Sequence, residues 1–460
     1  MSKGEAHMTE TLHFSEALLP TGWARDVRVQ LADGRFARIE PNTAAQPGDQ
    51  RHKVALPGLP NLHSHAFQRG MAGMAERRGS SADSFWTWRE AMYHFLDRME
   101  PDDVLAVAAI AYAEMLESGF TRVGEFHYLH HDPKGAAYAG PGAAMAEAVA
   151  EAARETGLAM TLLPVFYAHA DFGGAPPKPG QRRFICNLDS FAKLHEASGA
   201  AIAGLPGAVL GLAPHSLRAV TAEELAALLT AHPTGPVHIH AAEQTGEVEA
   251  SLKFSGQRPV EWLLNNTPLD ERWCLIHATH TTEAEASGMA QRGVVAGLCP
   301  VTEANLGDGV FPAVHYRGEG GRFGLGTDSN VLIDAAEELR WLEYVQRLTH
   351  RRRNLLASGS EASTGGDLFR GALTGGSQAL GAAAGLAEGL AADFVTLDAA
   401  HPALVGAQGD GWIDRWVFAA RGGAVDGVWR AGRQVVSGGR HVARDAIAAR
   451  YRTTLTQLLT

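Results

Sequence analysis

The sequence predicts an α/β fold: a TIM-like (β/α)8 barrel with a small β-sandwich built from both chain ends. Three patterns predict it. Between residues 57 and 389, short apolar runs alternate with helical stretches about eight times, the count a closed barrel needs. Both chain ends instead carry brief, turn-rich alternations typical of antiparallel strands. Several central runs also stop on a histidine or an aspartate, and strand C-termini form the active-site face of such a barrel.

Taken in order, the N-terminal strands fall at 12–20, 27–31 and 36–40, with turn residues such as Asp33-Gly34 between them. At the far end, 393–398, 417–420 and 427–437 repeat the style. Segments 9–56 and 390–441 are therefore expected to pair into one sandwich domain, with the barrel over 57–389 and a C-terminal helix over 442–460. Residues 1–8 read as a leader, because His7-Met8 has the look of a cloning scar. Inside the barrel span, a Pro-Asp-Asp start and Gly119 as a stop bracket a helix over 101–118. A strand over 121–126, an Ala-rich helix over 141–155 and a strand over 159–166 follow. Next come a helix over 190–197, a strand over 208–213, and a helix to Ala231 that Thr221 and Glu224 begin as a capping box. Later strands run to His240, His277, Cys299 and Asp328, and the Gly/Ala-rich stretch 362–389 is helical.

Composition narrows the function. The chain has 460 residues, 45% hydrophobic and 20% charged, ordinary values for a globular protein. Net charge is -11, and the longest basic run, Arg351-Arg-Arg353, is placed to cap a helix end. Neither nucleic acid nor an anionic membrane fits as a partner. No apolar run reaches the roughly 18–20 residues of a membrane span, and the start lacks a signal peptide's apolar core, so a cytoplasmic location is expected. Cys186, Cys274 and Cys299 lack metal spacing and fit a reducing compartment; the last two read as small buried hydrophobes.

The first stretch that carries chemistry is Leu56-Pro-Gly-Leu-Pro-Asn-Leu-His-Ser-His65. On a strand, His63 and His65 face the same side, and two neutral imidazoles are half of a zinc or iron site. A bare His-x-His is more often a pair of loop histidines. Downstream segments change those odds. Pro236-Val-His-Ile-His-Ala-Ala-Glu243 brings His240 and Glu243, Trp273-Cys-Leu-Ile-His277 brings a further imidazole, and Gly324-Leu-Gly-Thr-Asp328 brings a carboxylate. Each lies at the C-terminal end of an expected strand. His238 precedes His240 by two and points the same way, so periodicity does not choose between them.

In combination these motifs resemble the amidohydrolase superfamily, in its one-metal aminohydrolase branch, over nearly the whole chain. More narrowly, His63-Ser-His-Ala-Phe-Gln-Arg-Gly70, Ser84-Phe-Trp-Thr-Trp-Arg89, Gly124-Glu-Phe-His-Tyr-Leu-His130 and Pro214-His-Ser-Leu-Arg218 are similar to the formimidoylglutamate deiminases of that branch. The resemblance implies one divalent metal ion, zinc or iron, held by His63, His65, His240 and Asp328. It selects His240 and leaves His238 as a buried hydrogen-bonded residue. No lysine lies near the strand ending at Ala213, where two-metal relatives place a carbamylated bridge, which favours one metal.

A metal of this kind lowers the pKa of its water to about 7. Glu243 would then carry that water's proton to the leaving ammonia, Asp328 would accept a hydrogen bond from the water, and His277 would orient it or stabilise developing charge. Taken singly, Glu243 is a solvated helix-start carboxylate and His277 a core histidine. The substrate implied is a small dianion, N-formimidoyl-L-glutamate, cleaved to N-formyl-L-glutamate and ammonia. Arg89 and Arg218 would read its carboxylates, with Gln68, Tyr128 and His215 adding hydrogen bonds. Trp86 and Trp88 read as lid packing, and His127, His130 and His131 as loop polarity. Neither Glu303 nor Asn305 acquires a role from its position, although their loop departs from the Ser-Asn pair many relatives carry there. A homodimer follows from the family. Two rival readings share these residues: an aminohydrolase of the branch acting on a guanine-like or triazine ring, and a non-catalytic scaffold. Two arginines suit a dianion better than a neutral ring, and a scaffold has no reason to keep the whole metal and acid set.

Overall fold

The computed structural model describes residues 10–76, 78, 85–140 and 142–460. The leader expected at 1–8 and the helix start expected at 141 lie outside these residues. Eight parallel strands make the barrel: β1 (Leu59–Ser64), β2 (Phe120–His127), β3 (Ala159–Phe166), β4 (Val209–Leu210 with Ala213–Pro214), β5 (Val237–Ala241), β6 (Trp273–His277), β7 (Val295–Leu298) and β8 (Arg322–Leu325). They pair in the order β5-β6-β7-β8-β1-β2-β3-β4. Bridges Leu212↔Val237 and Ser216↔His240 close β4 onto β5. The strand expected over 208–213 is two short pieces. Gly211 N–H donates to Leu162 on β3, whereas Leu212 N–H donates to Pro236 beside β5, so the backbone turns from one neighbour to the other there.

Every residue of β3, β5 and β6 is buried, as befits strands covered on both faces. The helix Pro101–Ser118 has the expected ends: Asp103 closes a capping box with Glu100, and Gly119 stops it at φ 105°. Thr221 and Glu224 do the same for Ala222–Ala231. The helix Thr364–Ala379 lies against β8 so closely that a Cβ on Gly375 would stand 1.9 Å from the Phe323 carbonyl oxygen. Its end, Ala379 with Leu380, joins Leu62, Cys274, Ile276, Val295 and Cys299 in one buried cluster.

The two chain ends form one continuous sheet of eight strands. Their order is Arg440–His441, Arg433–Ser437, Val425–Arg430, Phe394–Leu397, Gln50–Pro57, Glu10–Leu19, Gly22–Ala32, Arg35–Glu40. It curls until its far strand meets the chain just before Phe394, through the bridge Arg35↔Ala391. Phe36 then packs 5.9 Å from Phe394, which stacks 4.7 Å from Trp429. The sandwich is thus two halves of a single sheet. Asp33 and Gly34, at φ 50° and 74°, make the two-residue turn between Ala32 and Arg35. Residues 417–420 depart from expectation. Val417 lies in the helix Gly411–Phe418, whose Trp412, Ile413, Trp416 and Val417 are buried at helical spacing. The C-terminal helix Arg444–Leu459 docks on Pro101–Ser118, where Arg444 pairs with Glu114 and Glu117.

Candidate active site

The chemistry-bearing side chains meet at the C-terminal ends of the barrel strands. His63 lies within β1 and His65 directly after it; His240 lies in β5, His277 closes β6, and Asp328 follows β8. Asp328 is pinned on both sides of its peptide, its N–H donating to the His63 carbonyl and its carbonyl accepting from His65 N–H, each at 2.9 Å. The Asn330 amide adds three bonds of 3.1 Å, to Ser64 Oγ and to the carbonyls of His65 and Asp328. Left-handed backbone appears at these same strand ends, with φ 65° at His277 and 46° at Asp328. Non-glycine residues take that conformation only when their surroundings enforce it.

Four ligand-type groups converge. Nε2 of His63 and of His65 lie 3.3 Å and 3.2 Å from Asp328 Oδ1, and His240 Nε2 lies 3.1 Å from His63 Nε2. Behind them, Nδ1 of His65 donates to the Phe126 carbonyl at 2.8 Å, and Nδ1 of His240 to the His215 carbonyl at 3.0 Å. Those bonds turn both Nε2 atoms toward the centre with their lone pairs free, the arrangement of metal-binding imidazoles. Burial pushes His63 down to about 3 and His240 well below its ordinary value, so both stay neutral. Burial acts to raise Asp328, but the imidazoles of His63 and His65 against its carboxylate and the nearby His277 hold it well below the usual carboxylate range. Three imidazoles and one carboxylate suit a divalent ion such as zinc. His238, by contrast, donates Nε2 to the Ala379 carbonyl at 2.7 Å, away from the group.

Glu243 and His277 sit beside this cluster. His277 Nε2 is 3.8 Å from Glu243 Oε1 and 3.8 Å from Asp328 Oδ2. Burial raises Glu243 to about 7 against the pull of His277 and Arg218. Burial disfavours charge on His277, yet Glu243, Glu303 and Asp328 outweigh it and bring the imidazole up to about 10. A cation held by the four ligand groups works in the opposite direction. Glu303, which had no role from its sequence position, lies with Oε1 3.3 Å from His277 Nδ1 and accepts from Cys299 N–H at 2.9 Å. Asp308 was also missed: burial and Glu243 raise it to about 8, and it is hydrogen-bonded to Gln244, next to Glu243.

A cavity opens over the cluster, lined by His65, His240, Glu243, His277 and Asp328. All five expected substrate contacts, Gln68, Arg89, Tyr128, His215 and Arg218, line it too, along with Trp88, Met92, Tyr93 and Tyr167. Gln68 Nε2 donates to Tyr128 Oη at 2.7 Å. Arg89 reaches in from the helix Phe85–Leu96, its guanidinium 4.5 Å from the centre of the Trp86 ring. His215 packs 4.9 Å from His240 and 4.3 Å from Tyr167. The expectation of loop polarity for His127, His130 and His131 needs correction. His127 and His130 are buried, and His130 and His131 donate to the carbonyls of Val165 and Ile185. They serve the packing between barrel strands and the loop above.

The barrel and its cluster of metal-type side chains narrow the class, and comparison with known proteins identifies it. The chain belongs to the amidohydrolase family, whose sequence model matches residues 54–435. A second model, "Formimidoylglutamate deiminase HutF, N-terminal domain", matches residues 9–53. A formimidoylglutamate deiminase of Pseudomonas aeruginosa is 49% identical over 96% of this chain and 98% of its own length. A crystal structure of an amidohydrolase from Brucella melitensis superposes with a TM-score of 0.95 at 53% identity, covering 98% of this chain and 100% of that one. An adenosine deaminase from Xanthomonas campestris with bound zinc shares the fold at a TM-score of 0.78 and 21% identity, covering 97% of this chain and 98% of its own.

Proposed function

We propose that this hydrolase deiminates N-formimidoyl-L-glutamate to N-formyl-L-glutamate and ammonia, a step of histidine degradation. The observation that carries the reading is the pairing of two arginines with the metal-type cluster in one cavity. Arg89 and Arg218 both line it, and the Nε of each is buried without a hydrogen-bond partner. One buried and one half-buried arginine, each with an unused Nε donor, suit a ligand with two carboxylates. The Pseudomonas formimidoylglutamate deiminase, similar along almost its whole length, supports the substrate further.

In this reading His63, His65, His240 and Asp328 hold one divalent ion, zinc by the nature of its donors. Such an ion supplies the Lewis acidity that makes hydroxide available near neutral pH. Glu243 takes a proton from the water that attacks the imino carbon and gives one to the departing nitrogen. Its pKa of about 7 suits both halves of that task. His277, held from behind by Glu303, orients the water and meets the charge that develops beside it. Arg89, Arg218, Gln68, Tyr128 and His215 bind and orient the substrate.

The barrel of this reading spans 57–389 and its sandwich 9–56 with 390–441. The enzyme is a cytosolic homodimer, in keeping with three free, buried cysteines and with its family. Ammonia release from formimidoylglutamate, beside guanine and an aminotriazine, tests the function. Turnover of a ring compound without turnover of formimidoylglutamate overturns it.

A further inference from the structure

We propose that a second metal position, specific for soft ions, lies beside the first and is built from His277, Cys299 and Asp328, and that filling it stops turnover. This rests on the reading of Asp328 as a ligand of the first ion. A ring nitrogen of His277, Sγ of Cys299 and a carboxylate oxygen of Asp328 lie within 4.8 Å of one another, all buried. The two oxygens of Asp328 face different company. Oδ1 stands 3.3 Å and 3.2 Å from the imidazoles of His63 and His65, whereas Oδ2 stands 3.8 Å from His277 Nε2. A carboxylate divided in this way is set to bridge two cations.

The remaining geometry is close to what zinc needs. Zn–N, Zn–O and Zn–S bonds of about 2.0–2.3 Å place tetrahedral ligand atoms roughly 3.3–3.7 Å apart, so ligand atoms lying within 4.8 Å need to close by at most about 1.5 Å. Glu243 Oε1, 3.8 Å from His277 Nε2, offers a fourth donor. The arrangement is not that of two metals sharing a lysine: β4 ends in Ala213-Pro214.

Binding exchanges the S–H bond of Cys299 for a metal–sulfur bond and a ring N–H of His277 for a metal–nitrogen bond, releasing both protons to solvent with no change of oxidation state. Thiolate selects zinc or cadmium over magnesium, calcium or manganese. An ion there occupies His277, Asp328 Oδ2 and Glu243 together, which removes the groups that handle water and proton. The site therefore inhibits.

The test adds Zn²⁺, Cd²⁺ or Mg²⁺ to enzyme already loaded with one zinc per chain, comparing wild type with Cys299→Ser and Cys299→Ala. Wild type is expected to lose activity reversibly with Zn²⁺ and Cd²⁺ but not Mg²⁺, at concentrations at least about tenfold below those affecting either variant. Without substrate, wild type binds a second equivalent of Cd²⁺ with an ultraviolet thiolate charge-transfer band that both variants lack. Equal sensitivity in all three proteins, or a wild type with no second equivalent and no band, overturns the proposal. Stoichiometry and band need no turnover, so they report on this site even if formimidoylglutamate is not the substrate.

Discussion

Glu303 holds the imidazole of His277 from behind, its Oε1 lying 3.3 Å from Nδ1 while Nε2 points across to Glu243 and Asp328. The same carboxylate oxygen accepts from Cys299 N–H, so the ring is tied to the start of the helix Pro300–Leu306. Carboxylate support of this kind fixes both tautomer and ring angle. Glu303→Gln is expected to lower kcat about tenfold to a hundredfold with bound metal unchanged. Steady-state kinetics with metal analysis on one preparation checks it; unaltered kcat removes Glu303 from the machinery.

Removing the proton carrier costs more. Glu243→Gln keeps size and hydrogen bonding but loses the base, and kcat is expected to fall about a hundredfold to ten-thousandfold. Metal content and circular dichroism stay as in wild type.

The pH profile follows from the same carboxyl. Burial raises Glu243 to about 7, and the base form is the one that accepts the water's proton. Protonation therefore removes activity, so kcat/KM falls as pH drops through about 7 and levels off above it. A limb centred near 4.5, the ordinary value for this side chain, contradicts the assignment.

Substrate recognition divides between two cations. Charged hydrogen bonds contribute about 1.5–3 kcal/mol, so Arg218→Met and Arg89→Met are each expected to raise KM about tenfold to a hundredfold. Each variant should discriminate less than wild type between formimidoylglutamate and an analogue lacking the carboxylate it reads. Discrimination equal to wild type in both variants rules out the two-arginine clamp.

One prediction concerns the fold alone. A methyl group on Gly375 meets the Phe323 carbonyl oxygen at 1.9 Å, backbone against backbone, with no side chain to swing aside. Gly375→Ala is expected to cost about 3 kcal/mol or more, whereas Gly359→Ala, with nothing within 4 Å, is nearly neutral. Urea titration of the two variants measures the difference.

Much of this was legible from the chain because strand-end chemistry is local. His63 and His65 announce themselves by spacing, and His240, His277 and Asp328 by closing apolar runs. Contacts made by tertiary closure were not. Glu303 finds His277 only when β7 and β6 lie side by side, and no spacing encodes that. His130 and His131 read as polar loop, yet the carbonyls that absorb their polarity, those of Val165 and Ile185, belong to other segments. The apolar residues of 417–420 were short enough to pass for a strand. The tryptophans Trp412 and Trp416 four apart gave the helical face that decided otherwise. The continuity of the terminal sheet was hidden as well, because its central pairing joins Thr396 to Ala55.

That central pairing shapes how the chain acquires its structure during synthesis. Gln50–Pro57 runs almost directly into β1, so the strand that delivers His63 extends out of the middle of the terminal sheet. Its outer neighbour, Phe394–Leu397, leaves the ribosome more than three hundred residues later. Until then the nascent chain carries an open, hydrogen-bond-hungry edge beside the fully buried strand Leu59–Ser64, a condition that invites misassembly. Closure of the terminal sheet must therefore await roughly the last seventh of the chain, and chaperone demand should peak before it.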